Sequence, residues 1–255
     1  MLDLSALARA LGADACRFDA DLLPVCDSTN AVLLARAEAG APSGAVVIAE
    51  TQTAGRGRRG REWLSAPGDS LTFSLLWRFP PGTLPLGLSL AVGVAVTNAL
   101  AKVGAGETAL KWPNDVLKDD KKLAGILIEL APGQTHVAVI GLGLNLRLPA
   151  TLPVEVRDTA AALDLPVDVN VLLATLLVEL RTVLDTFATT GFAGLRAEWT
   201  ARHAHEDAPV RLLSDFAPPR DGICRGVAAD GALLFETAGH IERILSGEVS
   251  LRKVA

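Results

Sequence analysis

Seven consecutive residues, Gly55 to Arg61, contain four arginines and three glycines, inside a longer polar run from Gln52 to Trp63. Glycines let a backbone aim several N–H groups at one point, and guanidinium groups add forked donors with fixed positive charge. Such a loop suits a ligand carrying a carboxylate or a phosphate. The residues alone leave three other readings open. Gly55, Gly57 and Gly60 spell G-x-G-x-x-G, but a dinucleotide fingerprint needs a helix directly after the loop, and here Pro67-Gly68 and a strand-like run follow. A basic patch for nucleic acid would be a single cluster in a chain of net charge −5. The third alternative is a solvated loop with no ligand.

Two further segments hold groups of the same chemical class. Lys111-Trp112-Pro113-Asn114-Asp115-Val116 packs a lysine, an amide and a carboxylate into five residues beside a strand end. Those groups could hold a phosphate and a hydrated Mg²⁺ through one carboxylate, while the plain alternative is a hairpin turn built on ordinary Pro-Asn-Asp chemistry. Lys122 opens the apolar run Leu123 to Glu129, where its ammonium faces either a site or solvent. In Gly141-Leu142-Gly143-Leu144-Asn145 the glycines interrupt an apolar strand, which signals close approach of a ligand or of another backbone.

Positioning these groups requires an ordered frame. Residues 2–11 read as a short helix, and Asp27 to Asn30 supply N-cap candidates for a helix from Ala31 to Ala39 closed by Gly40. Val46 to Ile48 form a buried strand. Leu71, Phe73, Leu75 and Trp77 alternate with Thr72, Ser74 and Arg78, as in a strand with one buried face. A buried helix spans about Leu86 to Lys102. Strands follow at Ala109–Trp112, Leu123–Leu130 and Val137–Leu146, with a turn from Pro113 to Asp120. The strongest helical periodicity runs from Val169 to Ala188, and a further helix is expected over roughly Phe192 to His203. From Ala208 the chain changes to short strand-like runs, with Asp230-Gly231 as a tight hairpin signal. The pattern predicts an α+β fold: a mixed sheet with helices packed on it, over residues 1–206 with 1–24 as an N-terminal extension, then a small β-barrel over 207–255.

With 255 residues, half of them hydrophobic and 21% charged, the composition is that of an ordinary globular protein. Cys16, Cys26 and Cys224 share no metal-ligand spacing and fit a reducing compartment. No stretch reaches the ~20 apolar residues that span a bilayer, and the N-terminus has no basic region ahead of an apolar run. The expectation is a cytoplasmic protein without a membrane partner.

Taken in order, DSTN at Asp27–Asn30, GRGRRGREW at Gly55–Trp63, KWPNDV at Lys111–Val116, KLAGILIE at Lys122–Glu129 and GLGLN at Gly141–Asn145 resemble the biotin–protein ligase family. The resemblance runs from Asp27 to the C-terminus, where RGVAADGALLFE and SGEVSLR are similar to the family's SH3-like barrel. It implies a class II synthetase-like catalytic domain and a two-step reaction. Biotin and Mg-ATP give biotinoyl-5′-AMP and pyrophosphate, and a lysine of a biotin carboxyl carrier protein domain then takes the biotin and releases AMP.

On matching positions, the resemblance implies that Ser28, Thr29, Asn30 and Gln52 line the biotin pocket. Arg56, Gly57 and Arg58 would form the loop over biotin and its adenylate, with Lys122 against the biotin carboxylate. Arg58, Arg61, Lys111, Asn114, Asp115, Asn145 and Arg225 fall on the ATP side. Lys122, Arg58 and Asp115 carry the catalytic roles, Asp115 also as the Mg²⁺ contact through Mg-ATP. Two departures stand out. Only 27 residues precede Ser28, too few for the winged helix-turn-helix of the family's repressors, so the resemblance implies a ligase that does not bind DNA. Ser246-Gly247 stands where a related pattern often has two glycines. Homodimerisation stays open. So do a lipoate-type acyl ligase or transferase of the same fold and a non-catalytic biotin-sensing regulator.

Overall fold

Helix α1 (Leu4–Leu11) leads into strand β1 (Asp19–Cys26), helix α2 (Thr29–Glu38), strands β2 (Ala45–Gln52) and β3 (Ser70–Arg78), and helix α3 (Leu88–Lys102). Strands β4 (Ala109–Lys111), β5 (Asp115–Lys118), β6 (Lys121–Ala131) and β7 (Gln134–Asn145) follow, then helices α4 (Val154–Arg157), α5 (Val169–Thr190) and α6 (Arg196–Thr200). The chain ends in β8 (Pro209–Ser214), β9 (Arg220–Val227), β10 (Leu233–Thr237), β11 (His240–Ile244) and β12 (Val249–Lys253). This computed structural model describes residues 1–149, 152–214, 217–245 and 249–253, so Ser246-Gly247 lies outside the described residues.

Seven strands form one mixed sheet in the order β1-β2-β3-β7-β6-β5-β4, with β1 and β2 parallel and the other neighbours antiparallel. One face carries the main core. Leu71, Phe73 and Leu75 of β3 and Ile140, Leu142 and Leu144 of β7 meet α3 and α5 there. Full burial of a Leu or Phe side chain contributes about 1.5–3 kcal/mol, so this layer is the principal source of stability. Helix α3 lies between sheet and α5 and is apolar almost all round, as a fully covered helix must be. Asp168 caps α5 by accepting from Asn170 N at 2.8 Å, and Gly191 ends it at a φ of 62°.

The opposite face is covered by α2, over a smaller cluster of Leu33, Ala37, Val47, Leu76, Val137 and Val139. The one-sided reading of β3 is therefore corrected: Thr72 and Ser74 are buried too, because this strand runs through the middle of the sheet with α2 across its second face. Three other expectations also change. β1, which the sequence reading folded into an extension, is an edge strand of the sheet. The segment from Pro113 to Asp120 is two turns around β5, whose buried Val116 and Leu117 pair with β4 and β6. The last helix breaks into a 3-10 turn at Phe192–Gly194 and the short α6, which lets Phe192 and Trp199 meet at 6.4 Å inside the core.

The C-terminal strands form a second, antiparallel sheet in the order β11-β10-β9-β8-β12. Among the described residues no pairing of β11 with β12 closes it. Cys224, Leu233 and Phe235 join the main core, so the two sheets share one apolar interior. At the junction, Trp112 Nε1 donates to Gly231 O at 3.1 Å. Gly231 has a φ of +83°, and a Cβ there would stand 2.7 Å from Gly87 Cα. No helix among the described residues is long and apolar enough to cross a membrane.

Both the left-handed backbone and the contact with Gly87 require glycine at 231. Gly231→Ala is expected to destabilise the chain by about 1–3 kcal/mol. A urea midpoint unchanged from the parent would remove this account of how the second sheet docks.

Candidate active site

Along β7 the α2-facing side of the sheet changes character. Val137 and Val139 point into the apolar cluster under α2, but the next residues on that side are Gly141 and Gly143. Across the sheet the same rows read Ser74–Gly141–Leu127 and Thr72–Gly143–Gly125. The glycines answer to what lies on them. A Cβ on Gly141 would stand 2.4 Å from Asn30 Oδ1, and one on Gly143 2.2 Å from the Trp63 indole. The floor of a cavity of about 140 Å³ is thus largely backbone.

At one end stands the start of α2. Ser28 is its N-cap residue but makes no side-chain capping bond, so its buried hydroxyl borders the cavity without that duty. Gln52 Oε1 accepts from Thr29 N at 2.8 Å and from Thr29 Oγ1 at 3.1 Å, which leaves the Gln52 amide NH₂ as the end that can meet a ligand acceptor. Ser74 Oγ lies 2.6 Å from Asn30 Oδ1 and 2.7 Å from Thr29 Oγ1. Asn30 Oδ1 can only accept, so the Ser74 proton points to it. Asn30 Nδ2 donates to Leu127 O at 3.3 Å and Glu129 Oε2 at 2.7 Å. The network orients every amide at this end.

The Gly/Arg loop closes on itself as a small hairpin: Gly57 N donates to Arg61 O at 2.7 Å, Trp63 N to Gly55 O at 2.9 Å, and Arg56 bridges Glu62. A 3-10 turn at Arg58–Gly60 forms its tip and β3 is the next element after it, so no helix stands where a dinucleotide fingerprint would need one. Arg58 Nη1 donates to Asn114 Oδ1 at 3.3 Å, and Asn114 is held in turn by Ile126, donating to its carbonyl at 2.8 Å. Lys122 Nζ lies 2.6 Å from Asp115 Oδ1 and 5.6 Å from the Trp63 ring centroid. Lys111, Arg61 and Arg252 complete a cationic wall. Burial pushes the Lys111 ammonium down to about 8, with Asp115 working against that shift and Arg252, Lys122 and Arg61 reinforcing it. Among the described residues no three His, Cys, Asp or Glu side chains converge as a metal cluster.

Residues 22–145 match the model of the biotin/lipoate A/B protein ligase family. Escherichia coli has a relative, the bifunctional ligase/repressor BirA, that is 40% identical over 91% of this chain and 73% of its own length. The chain belongs to the biotin/lipoate A/B protein ligase family. The biotin–[acetyl-CoA-carboxylase] ligase of Mycobacterium tuberculosis is 38% identical over 90% of this chain and 87% of its own. Among solved structures, the Aquifex aeolicus biotin protein ligase in complex with biotin and ATP is similar with a TM-score of 0.81 and 31% identity, covering 92% of this chain and 99% of that one.

Within this ligase-family fold, Ser28, Thr29, Asn30, Gln52, Arg56, Gly57, Arg58, Arg61, Lys111, Asn114, Asp115 and Lys122 border one cavity. Two expected residues do not. Asn145 borders a neighbouring cavity of about 520 Å³ that shares Trp63 and Lys122 with the first. Its amide donates to Lys122 O at 3.3 Å and Ala161 O at 2.9 Å, fixing the strand start that carries Lys122. Arg225 lies on β9, paired with Asp207 at 2.6 Å and with Glu236, and does not border the cavity; the second sheet sends Arg252 of β12 instead. Sequence reasoning gave no role to Trp63, Ser74, Glu129 or Arg252. Trp63 and Glu129 ended motifs already singled out, but nothing local marks which side of a strand or loop they face.

Because the folded pKa of Lys111 lies below its ordinary 10.5, the folded chain binds fewer protons than the unfolded one between about pH 8 and 10.5. The cost of burying this charge is in full force below about pH 8 and fades as pH rises through that window. Lys111→Met is expected to raise Tm at pH 7 by about 2–4 °C and by less at pH 10. A variant melting below the parent at pH 7 would contradict the assignment.

Proposed function

We propose that this chain activates biotin with ATP and transfers the biotinoyl group to a lysine of a biotin carboxyl carrier protein domain. What carries the reading is that Arg58, Asp115 and Lys122 border a single cavity together with the polar residues at the start of α2. The Mycobacterium tuberculosis and Aquifex aeolicus relatives carry the names of biotin ligases, and the latter was solved with biotin and ATP.

In the first step a biotin carboxylate oxygen attacks the α-phosphorus of ATP, and the bond to pyrophosphate breaks. Both reactants are anions. Two unit charges 4 Å apart in a setting of effective dielectric about 20 repel by ~4 kcal/mol. Lys122, Arg58, Arg61, Lys111 and Arg252 offset that repulsion, and they act most strongly on the extra charge of the transition state. Ser28, Thr29 and the Gln52 amide hold the ureido head, with Asn30 fixing the wall behind them. The glycine rows let the ligand lie directly on the sheet. The larger cavity beside Lys122 takes the nucleotide, with Asn145 in its wall.

Mg²⁺ would enter on the phosphates of ATP and supply further positive charge. Asp115 is the carboxylate suited to meet it, since one carboxylate plus phosphates and waters satisfies this ion, and the Asp115 carboxylate already stands within the cationic wall. In the second step the carrier lysine, as a free amine, attacks the acyl carbon and AMP leaves with the electron pair. Excluding water until then protects the adenylate from hydrolysis, which is the use of a loop that closes. In this reading residues 1–206 are the catalytic unit and 207–255 contribute Arg252.

Purified chain incubated with tagged biotin, Mg-ATP and a carrier domain should label the carrier and release pyrophosphate. No labelling under conditions where biotin binds would end the proposal, and lipoate labelled in preference to biotin would move it to the sister activity. Lys122→Ala is expected to slow adenylate formation at least about a hundredfold, as loss of a charge-stabilising group does, with an unchanged circular dichroism spectrum; normal single-turnover rates would remove its role. Arg58→Gly severs the tie to Asn114 and should let biotinoyl-AMP escape when no acceptor is present. Release equal to the parent's would remove that function of the loop.

A further inference from the structure

Arg56 stands in the loop whose charges suit an anionic ligand, yet its guanidinium is engaged elsewhere. Nη2 lies 3.1 Å from Glu129 Oε2, and the same oxygen accepts from Asn30 Nδ2 at 2.7 Å. Asn30 is 3% exposed and its other end takes the Ser74 hydroxyl. Glu129 sits on β6 opposite Val139, within the hydrogen-bonded body of the sheet. One carboxylate oxygen therefore joins the side chains of two parts of the molecule that are 26 residues apart in sequence, 30 and 56. On one side is the buried network at the start of α2. On the other is the Gly/Arg loop, which borders the same cavity.

We infer that Glu129 is a positioning residue: it latches the Gly/Arg loop through Arg56, so that order in the head-group end of the cavity and closure of the loop are coupled. This rests on the reading that an acyl-adenylate is made and kept beneath that loop. The physical basis is sharing. Hydrogen bonds to an ionised carboxylate are stronger than neutral ones, and two donors held on one oxygen constrain each other's position. When a ligand fixes the α2 end, Asn30 holds Glu129 in the orientation that receives Arg56. When the loop opens, that orientation loses one of its two supports. Arg56 is thereby read as the anchor of the loop, and the cations that face the reacting groups are the others.

The Arg56 arm of the latch can be cut alone, or together with the Asn30 arm. Glu129→Gln keeps an amide oxygen to accept from Asn30 but removes the charge that holds Arg56. Arg56→Gln cuts the same arm from the other side. With biotin and Mg-ATP and no carrier, each variant of the full chain is expected to release biotinoyl-AMP about three- to tenfold faster than the parent. Each should also leave residues 55–62 more open to limited proteolysis in the presence of biotin than they are in the parent chain. The double variant should be no worse than either single, because only one interaction is lost. Glu129→Leu cuts both arms and should weaken biotin binding as well. Retention equal to the parent's in both single variants, or effects that multiply in the double, would overturn the latch while leaving the ligase reading intact. A parent chain that binds biotin but forms no adenylate would overturn both.

Discussion

A stretch of sheet without side chains is the constraint on which the rest of this molecule depends. Gly125, Gly141 and Gly143 lie in two adjacent rows of β6 and β7, and Asn30 and Trp63 rest almost on the peptide planes. A Cβ at Gly141 would stand 2.4 Å from Asn30 Oδ1 and one at Gly143 2.2 Å from the Trp63 indole, so either would have to push its neighbour off the sheet. Because the opposite face of the same strands is a packed aliphatic core, the floor cannot sink to make room. Space for a ligand is therefore written into the strands themselves, and the walls need only surround it.

Those walls illustrate how a protein gathers charge that water would otherwise disperse. Lys122 rests against Asp115, Arg58 against Asn114, and Lys111 is buried enough to bring its ammonium to about 8. The arrangement is costly to the folded state and useful to the bound one, a division expected where a site is built to stabilise charge that appears during reaction. Helix α2 adds to this from the other end, where its first turn supplies neutral donors and acceptors.

Much of this could be read from the chain. Helix α5 announces itself because its leucines recur at helical spacing over six turns, and its burial follows. The Gly/Arg loop, the Lys111–Asp115 turn and Lys122 are legible as chemistry because their residue types are unusual for plain loops, and they border one cavity. What escaped was geometry at longer range. β1 was missed because DLLPVC neither alternates nor avoids proline, and an edge strand needs neither. Arg225 and Arg252 are alike in sequence terms, each flanked by strand residues. Only the order of strands in the second sheet decides that β12 reaches the cavity while Arg225 turns to Asp207 and Glu236. Thr72 and Ser74 looked like a solvent face until α2 was laid across them.

Trp63 belongs to the loop, yet its indole forms part of the wall of both cavities. A partition shared in this way cannot shift without resizing the rooms on either side. Whatever occupies one cavity and the shape offered by the other are thus joined through one side chain, and the position of that indole sets the size of both.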